Sequence, residues 1–414
     1  MRVLWLCNII LPQICKIHNL PIPPSGGWIT AMMEGLQRKE QMEFYVLSPA
    51  VGNCFSGKTD EFEYCLFDEN DRHLKDQFKE VITKWKPDLI HVFGTEFPHS
   101  QVMVEAAKEA GMDKRVLISI QGLTSMCGKH YRAFLPDDVC RKRSFRDFVK
   151  MDNIAKQQKL YITRGQSEIQ AINSVRYVVG RTEWDKACVE RINPEVTYFK
   201  CNENLRSEFY SGKWDCNNIE KHSIFTSQCS YPLKGFHLML EAMTDIVKKY
   251  PDAHLYTTGM NPLLLTWKQR LKQTYYNRYL GQLIVRYGLK KQVTFLPALN
   301  ANEMKERYLK SNVFVCCSSI ENSSNSLGEA MLLGVPCVAA YTGGTPSMIS
   351  SNEGYLYQAD APYMLANGIC RIFESKKVAQ QYSENARIRA RITHDTEINL
   401  RSLLQIYQTV AAEK

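Results

Sequence analysis

The stretch from Val313 to Ile349, VFVCCSSIENSSNSLGEAMLLGVPCVAAYTGGTPSMI, constrains the fold more than any other. Val313–Cys317 and Cys337–Ala340 are short apolar runs of strand length. Leu327–Leu333 between them has helical composition, and Gly334 followed by Pro336 stops it. The segment therefore reads as one βαβ unit. In open α/β sheets, ligands sit outside the carboxyl ends of the strands, beside helix N-termini whose N–H groups favour anions. The loop before the helix holds Glu321 and the first helical turn holds Glu329. Two carboxylates beside an anion-binding terminus point to a ligand that is both phosphorylated and rich in hydroxyls.

The same alternation runs through the chain. Arg2–Cys7, Glu43–Leu47, Leu89–Phe93, Val116–Ile120, Tyr177–Val179 and Thr197–Phe199 are strand-like, with helical segments such as Gln101–Ala110 between several of them. Ser223–Thr226, His254–Thr257, Val293–Phe295, Val313–Cys317 and Cys337–Ala340 repeat the pattern in the second half. This predicts an α/β protein with mostly parallel sheets. A chain of 414 residues exceeds the size at which one core stops growing, so two domains are expected. The join falls between Asn202 and Lys221, a polar stretch with few core residues, and Lys376–Ala412 reads as a long closing helical segment.

Composition excludes little on the globular side: 44% hydrophobic and 23% charged residues are ordinary. The net charge of +9 fits an anionic substrate or an anionic membrane surface. Nucleic acid is the least supported partner, because no zinc-finger, RNP-like or basic-repeat pattern occurs. Fourteen cysteines without a CxxC pair, several inside strand-like runs, fit buried thiols in a reducing cytosol. The amino terminus reads as a first strand and not as a signal peptide, and no run reaches the ~20 apolar residues of a membrane span.

Several residues carry chemistry. Ser326-x-x-Glu329 has capping-box spacing, so Glu329 reads either as a cap or as a ligand-binding acid. Glu321 is either a binding acid or a solvated loop residue. Lys234-Gly235 follows a strand-like run; the lysine suits a diphosphate and the glycine allows close backbone approach, against the plainer reading of a solvated lysine. Ser25-Gly26-Gly27 precedes a helical stretch and reads as an oxyanion loop or a flexible turn. Gln121-Gly122 and Glu96 close two further strands. His91 lies within a strand and reads as a core residue, and no histidines have metal-ligand spacing. Absence of G-x-G-x-x-G argues against a dinucleotide oxidoreductase.

Glu321-x7-Glu329 with Gly334-Val335-Pro336 and Thr342-Gly343-Gly344 resembles the retaining glycosyltransferases of family 4, which have the GT-B fold of two Rossmann-like domains. KPDLIHVFGTE (from Lys86), VRYVVGRTEWDKA (from Val175), SYPLKGF (from Ser230), PDAHLYTTG (from Pro251) and VTFLPAL (from Val293) resemble that family's landmarks in the same order. The resemblance implies domains of 1–205 and 206–396, with the last helix, about 397–414, returning to the first. It implies transfer of a sugar from a nucleotide-diphosphate donor to an acceptor hydroxyl, with retention and without a cofactor or metal. No Asp-x-Asp occurs to hold a metal. It places Glu321 at the sugar hydroxyls, Glu329 at the ribose, and the backbone of Asn325, Ser326 and Leu327 at the diphosphate. Lys234, Gly235, Gly26, Gly27, Gly259, Leu296 and Pro297 fall along the donor. Glu96 and Arg181 are expected on the acceptor side. Two positions depart from the pattern. Gln228 stands where the family has an arginine, leaving Lys234 alone or aided by Arg181, and Gln121 stands where many relatives have a histidine. The acceptor is expected to be a saccharide or lipid-linked saccharide. The two other readings are a GT-B sugar-nucleotide epimerase and a non-catalytic sugar-nucleotide-binding subunit.

Two basic stretches also contain aromatics, CRKRSFRDFVK (Cys140–Lys150) and WKQRLKQTYYNRYL (Trp267–Leu280). They read as peripheral membrane contacts at a cytoplasmic face, or as solvated helices whose aromatics, Phe145 and Phe148 among them, enter the core.

Overall fold

The first half folds into strands of which the central ones are buried on both faces. In the computed structural model, which describes residues 1–22, 27–39, 41–50, 52 and 54–413, they are β1 (Arg2–Leu6), β2 (Glu43–Pro49), β3 (Ser56–Lys58), β4 (Glu63–Phe67), β5 (Leu89–Phe93), β6 (Val116–Ser119), β7 (Tyr177–Gly180) and β8 (Thr197–Lys200). They form one sheet in the order β3-β4-β2-β1-β5-β6-β7-β8, parallel except for the β3–β4 pair. In β1 the two-residue period divides the side chains between two cores. Val3 and Trp5 pack with Met32, Leu36, Leu403 and Tyr407; Leu4 and Leu6 pack with Phe78, Ile82 and Met103.

The second half supplies β9 (Ser223–Thr226), β10 (His254–Thr258), β11 (Val293–Leu296), β12 (Val313–Cys316), β13 (Cys337–Tyr341) and β14 (Gly354–Gln358). They form an all-parallel sheet in the order β11-β10-β9-β12-β13-β14. This is the doubly wound order in which consecutive crossovers change direction between the first and fourth strands.

The chain divides into two units, one of Met1–Met126, Ile162–Asn204 and His394–Lys414, the other of Cys127–Tyr161 and Leu205–Thr393. Against the expected 1–205, residues 127–161 belong with the second unit. Two buried hydrogen bonds explain it: His237 Nε2 meets the Ala133 carbonyl at 2.7 Å, and the Tyr275 N–H donates to Asp147 Oδ2 at 2.8 Å. The polar join also differs from expectation, since Leu205, Phe209 and Trp214 are buried and Trp214 Nε1 donates to the Ser311 carbonyl at 2.8 Å. The closing segment is two helices, Lys376–Thr393 and Thr396–Ala411, separated at Asp395, which caps the second by accepting from the Ile398 N–H.

Residues 52–59 carry P-loop spacing, Gly52-x4-Gly57-Lys58-Thr59. Ser56–Lys58 is nevertheless an edge strand antiparallel to β4, and β4 is the next element. A P-loop needs a helix N-terminus directly after the lysine, so the match carries no nucleotide site.

The last helix is pegged to the first sheet through Tyr407. Its hydroxyl accepts from Trp5 Nε1 at 3.1 Å and meets His91 Nδ1 at 2.6 Å, while His91 Nε2 meets Ser119 Oγ at 2.7 Å. Burial pushes the His91 pKa down to about 3, so the ring is neutral. One ring nitrogen therefore donates and the other accepts, one toward the tyrosine hydroxyl and the other toward the serine hydroxyl. Tyr407→Phe leaves a buried indole N–H and a ring nitrogen unsatisfied. We expect it to lower the unfolding free energy by ~1–3 kcal/mol in urea denaturation. A loss below the error of the measurement would show that the peg is not energetically used.

Candidate active site

In a doubly wound sheet, the loops leaving the two central strands diverge and open a crevice at their carboxyl ends. In the second unit those strands are β9 and β12. The loop after β9 runs through Gln228, half-buried, into a 3-10 turn at Pro232–Lys234. Gly235 ends the turn at φ 68°, and a Cβ there would lie 1.8 Å from the Cys317 carbonyl oxygen. Only glycine allows the two loops to meet backbone to backbone. The Ser319 N–H then donates to the Leu233 carbonyl at 2.8 Å.

That contact brings the first two candidate residues together. Lys234 Nζ lies 2.8 Å from Glu321 Oε2, with both side chains partly exposed. Burial disfavours the Lys234 charge, but the Glu321 carboxylate outweighs it, and the pKa is raised. Glu321 is itself held from behind. Its carbonyl accepts from the Gly344 N–H at 2.9 Å, and a Cβ on Gly343, at φ 49°, would lie 2.1 Å from that oxygen. Thr342 Oγ1 donates to the Ser319 carbonyl at 2.8 Å. The Thr342-Gly343-Gly344 run thus fastens the loop that carries Glu321.

The helix after β12 spans Asn325–Leu333. Its cap is Ser324, which accepts from the Leu327 N–H at 3.4 Å, so the expected Ser326–Glu329 capping box is not formed. The Ser326 hydroxyl is occupied otherwise, meeting the Ser324 hydroxyl at 3.0 Å, and its carbonyl accepts from the Tyr308 hydroxyl at 2.9 Å. Glu329, 3% exposed, receives a bidentate pair from Arg206, Nε to Oε1 at 2.8 Å and a terminal nitrogen to Oε2 at 2.9 Å. Burial raises the Glu329 pKa and Arg206 pulls it only part of the way back. Asn325, Ser326 and Leu327 form the first turn, whose N–H groups lack full intrahelical partners. Gly259 and Leu296 end the neighbouring strands, joined by an N–H to carbonyl bond of 3.2 Å, and Pro297 beyond them is exposed. Gly26 lies outside the described residues, and Gly27 opens the helix Gly27–Lys39.

The first unit has its own crevice, after β1 and β5. Glu96 joins the loops there, accepting from Asn8 Nδ2 at 2.8 Å and from the Gly122 N–H at 2.9 Å. Burial, with the Glu168 carboxylate adding to it, pushes the Glu96 pKa up to about 7. Gln121 and Arg181 meet on Glu203. Gln121 Nε2 donates to Oε1 at 2.5 Å and Arg181 donates to Oε2 at 2.6 Å, and Arg181 also reaches the Gln121 carbonyl at 3.1 Å. Arg181 is therefore a buried, paired cation of the first unit, not a free charge for a phosphate.

Three participants were passed over in the sequence: Arg206, Glu203 and Glu168. Glu168 is 1% exposed and accepts from Thr95 Oγ1, the Thr124 and Ser125 N–H groups and Ser125 Oγ. None sits in a motif, and each acts through a partner distant in sequence. Among the described residues, no group of three or more His, Cys, Asp or Glu is placed to hold a metal.

Arg206→Ala strands Glu329 as a buried charge. It should cost about 3 kcal/mol of stability near neutral pH. The sign with pH follows from the raised Glu329 pKa. The protonated form is the one the fold tolerates, so the deficit is small near the ordinary value of 4.5 and grows as pH rises above it. Denaturation of both proteins from pH 4.5 to 8 checks this. A deficit independent of pH would assign the loss to Arg206 packing on Phe209.

Residues 212–389 match the family described as Glycosyl transferases group 1. Spore coat protein SA of Bacillus subtilis (strain 168) is 23% identical over 408 residues, 94% of this chain and 97% of that protein. Among solved structures, the sucrose-phosphate synthase from Thermosynechococcus elongatus aligns with a TM-score of 0.70 at 15% identity, over 100% of this chain and 99% of that one. HepE of Anabaena, in complex with UDP and glucose, aligns at 0.69 and 15% identity over 99% and 100%. At such identities the likeness speaks for the fold alone. The architecture is GT-B, and the second unit carries the match to Glycosyl transferases group 1.

Proposed function

We propose that this protein moves a sugar from a nucleotide-diphosphate sugar to an acceptor hydroxyl with retention at the anomeric carbon. The observation that carries the reading is the Lys234–Glu321 pair at the β9–β12 crevice, beside the first turn of helix Asn325–Leu333. A cation and a helix N-terminus suit a diphosphate, and a carboxylate beside them suits sugar hydroxyls. Donor binding exchanges the Lys234–Glu321 contact for lysine to phosphate and glutamate to hydroxyl. We assign Glu329, one turn further on, to the ribose, with Arg206 as its brace.

In the step proposed, the bond from the anomeric carbon to the diphosphate oxygen breaks as the bond to the acceptor oxygen forms on the same face. The acceptor's proton passes to the departing phosphate. The protein orients the partners and stabilises the charge on the leaving group. Gln121 cannot titrate, so no enzymic base is assigned to it, and its amide is held by Glu203. Glu96 remains the acid proposed for the acceptor side. The acceptor class is a saccharide or lipid-linked saccharide, with the enzyme working in the cytoplasm. Gln228 and Gln121, where relatives have arginine and histidine, favour one second reading: a subunit that binds a sugar nucleotide without transferring it.

Radiolabelled donors distinguish the two, beginning with UDP-glucose because HepE was solved in complex with it. Transfer releases nucleotide; a binding subunit raises its melting temperature with UDP, GDP or ADP but releases none. Lys234→Ala and Glu321→Gln should each weaken transfer roughly ten- to a hundredfold, the cost of a charged hydrogen bond, in proteins that still unfold cooperatively. Wild-type rates in both variants would place the site elsewhere. Activity should also survive EDTA; full loss restored by manganese or magnesium would reject neutralisation by Lys234 and the helix terminus.

A further inference from the structure

The two basic, aromatic stretches are neighbours in the second unit. Helix Phe145–Lys150 packs beside helix Trp267–Lys272. Asp147 fixes their relation: it closes a capping box with Ser144 and accepts from the Tyr275 N–H at 2.8 Å. With Ser144 and Asp147 on the inner side, the apolar residues face outward. Phe145 is 62% exposed, Phe148 63%, Trp267 68% and Leu264 78%. The expectation that Phe145 and Phe148 enter the core is overturned, and no solvent-facing helix needs so many large apolar side chains together.

The charges around them are one-sided. The acids nearby are used: Asp137 with Arg132 and Arg141, Asp138 with Lys142, and Asp147 and Asp152 with Arg146. Among the described residues Arg143, Lys150, Lys268, Arg270 and Lys272 form no ion pair. Residues 263–279 contain no Asp or Glu. Arg270 further lines an open groove with Arg278 and Arg286, walled by Leu263, Leu265 and Val285.

We infer that this face docks on an anionic lipid bilayer. Phe145, Phe148, Trp267 and Leu264 enter the headgroup boundary. The unpaired cations meet lipid phosphates, and the three-arginine groove takes one headgroup. The composition distinguishes this occupant from a protein: aromatics ringed by unpaired lysines match interfacial membrane segments, whereas protein interfaces are depleted in lysine. The inference is independent of the transfer reaction, because it is read by binding alone.

Co-sedimentation with vesicles of phosphatidylglycerol and phosphatidylcholine tests it, at low salt and at roughly 0.5 M salt, where screening shortens the charges' reach to a few ångströms. The full chain should bind the mixed vesicles at low salt, bind pure phosphatidylcholine far less, and be released by salt. Combined Phe145→Ser, Phe148→Ser and Trp267→Ser should weaken binding at least about tenfold. Combined Arg143→Glu, Lys268→Glu and Lys272→Glu should weaken it on the order of a hundredfold, at about fivefold or more per charge. Melting temperatures should not move, since all six side chains are exposed. No binding to anionic vesicles at low salt, equal binding to neutral ones, or unchanged binding in both variants would overturn the inference. So would a concentration-dependent dimer in sedimentation velocity that the serine variant abolishes, which would give the face to a second copy of the chain.

Discussion

The candidate site depends on one steric fact: at Gly235 the β9 loop lies against the Cys317 carbonyl with no room for a Cβ. The doubly wound strand order puts β9 beside β12, but order alone leaves their loops free to splay. The absent side chain lets the backbones touch and places Lys234 within reach of Glu321. Gly343 does the same from the other side, against the Glu321 carbonyl. Two glycines in the left-handed region thus fix the lysine and the glutamate in one place, before any ligand arrives.

Three cations at the two crevices are held in pairs. Lys234 rests on Glu321 and Arg206 on Glu329 in the second unit; Arg181 rests on Glu203 in the first. A half-buried carboxylate or ammonium without a partner is expensive, and each pair removes that expense while keeping polar groups at the strand ends. The pairs differ in what a ligand can do with them. Lys234–Glu321 is partly exposed and joined by one contact, so an anion can exchange with it. Arg206–Glu329 is bidentate with Glu329 buried, and it reads as a brace.

How much was legible in the sequence follows from how local each signal is. The strands Leu89–Phe93 and Ser223–Thr226 matched their expected runs to the residue, because burial on both faces favours short segments rich in apolar and β-branched residues. Ser56–Lys58, Glu63–Phe67 and Gly354–Gln358 were missed: the first is a polar edge strand, the second follows it after a short turn, and the third opens with glycine. Glu321, Glu329, Lys234 and Gly235 stood out because each lies in a short motif, and the structure brings Lys234 and Glu321 into contact. Arg206 did not, since its contact with Glu329 spans 123 positions. The cap went to Ser324 and not Ser326 because the helix starts at Asn325, which puts Ser326 inside its first turn, where its hydroxyl meets that of Ser324 at 3.0 Å. The outward turn of Phe145 and Phe148 was decided by Asp147, whose partner Tyr275 lies 128 residues away.

The central claim is that Lys234 and Glu321 act on the donor as one unit. A double-mutant cycle with Lys234→Met and Glu321→Gln, read by calorimetric binding of the nucleotide sugar that the chain turns over, tests it most directly. Groups in contact that share a ligand couple, so the account predicts a double variant that departs from the sum of the single losses by about 1 kcal/mol or more. Additive losses within about 0.3 kcal/mol, the behaviour of independent sites, would contradict it.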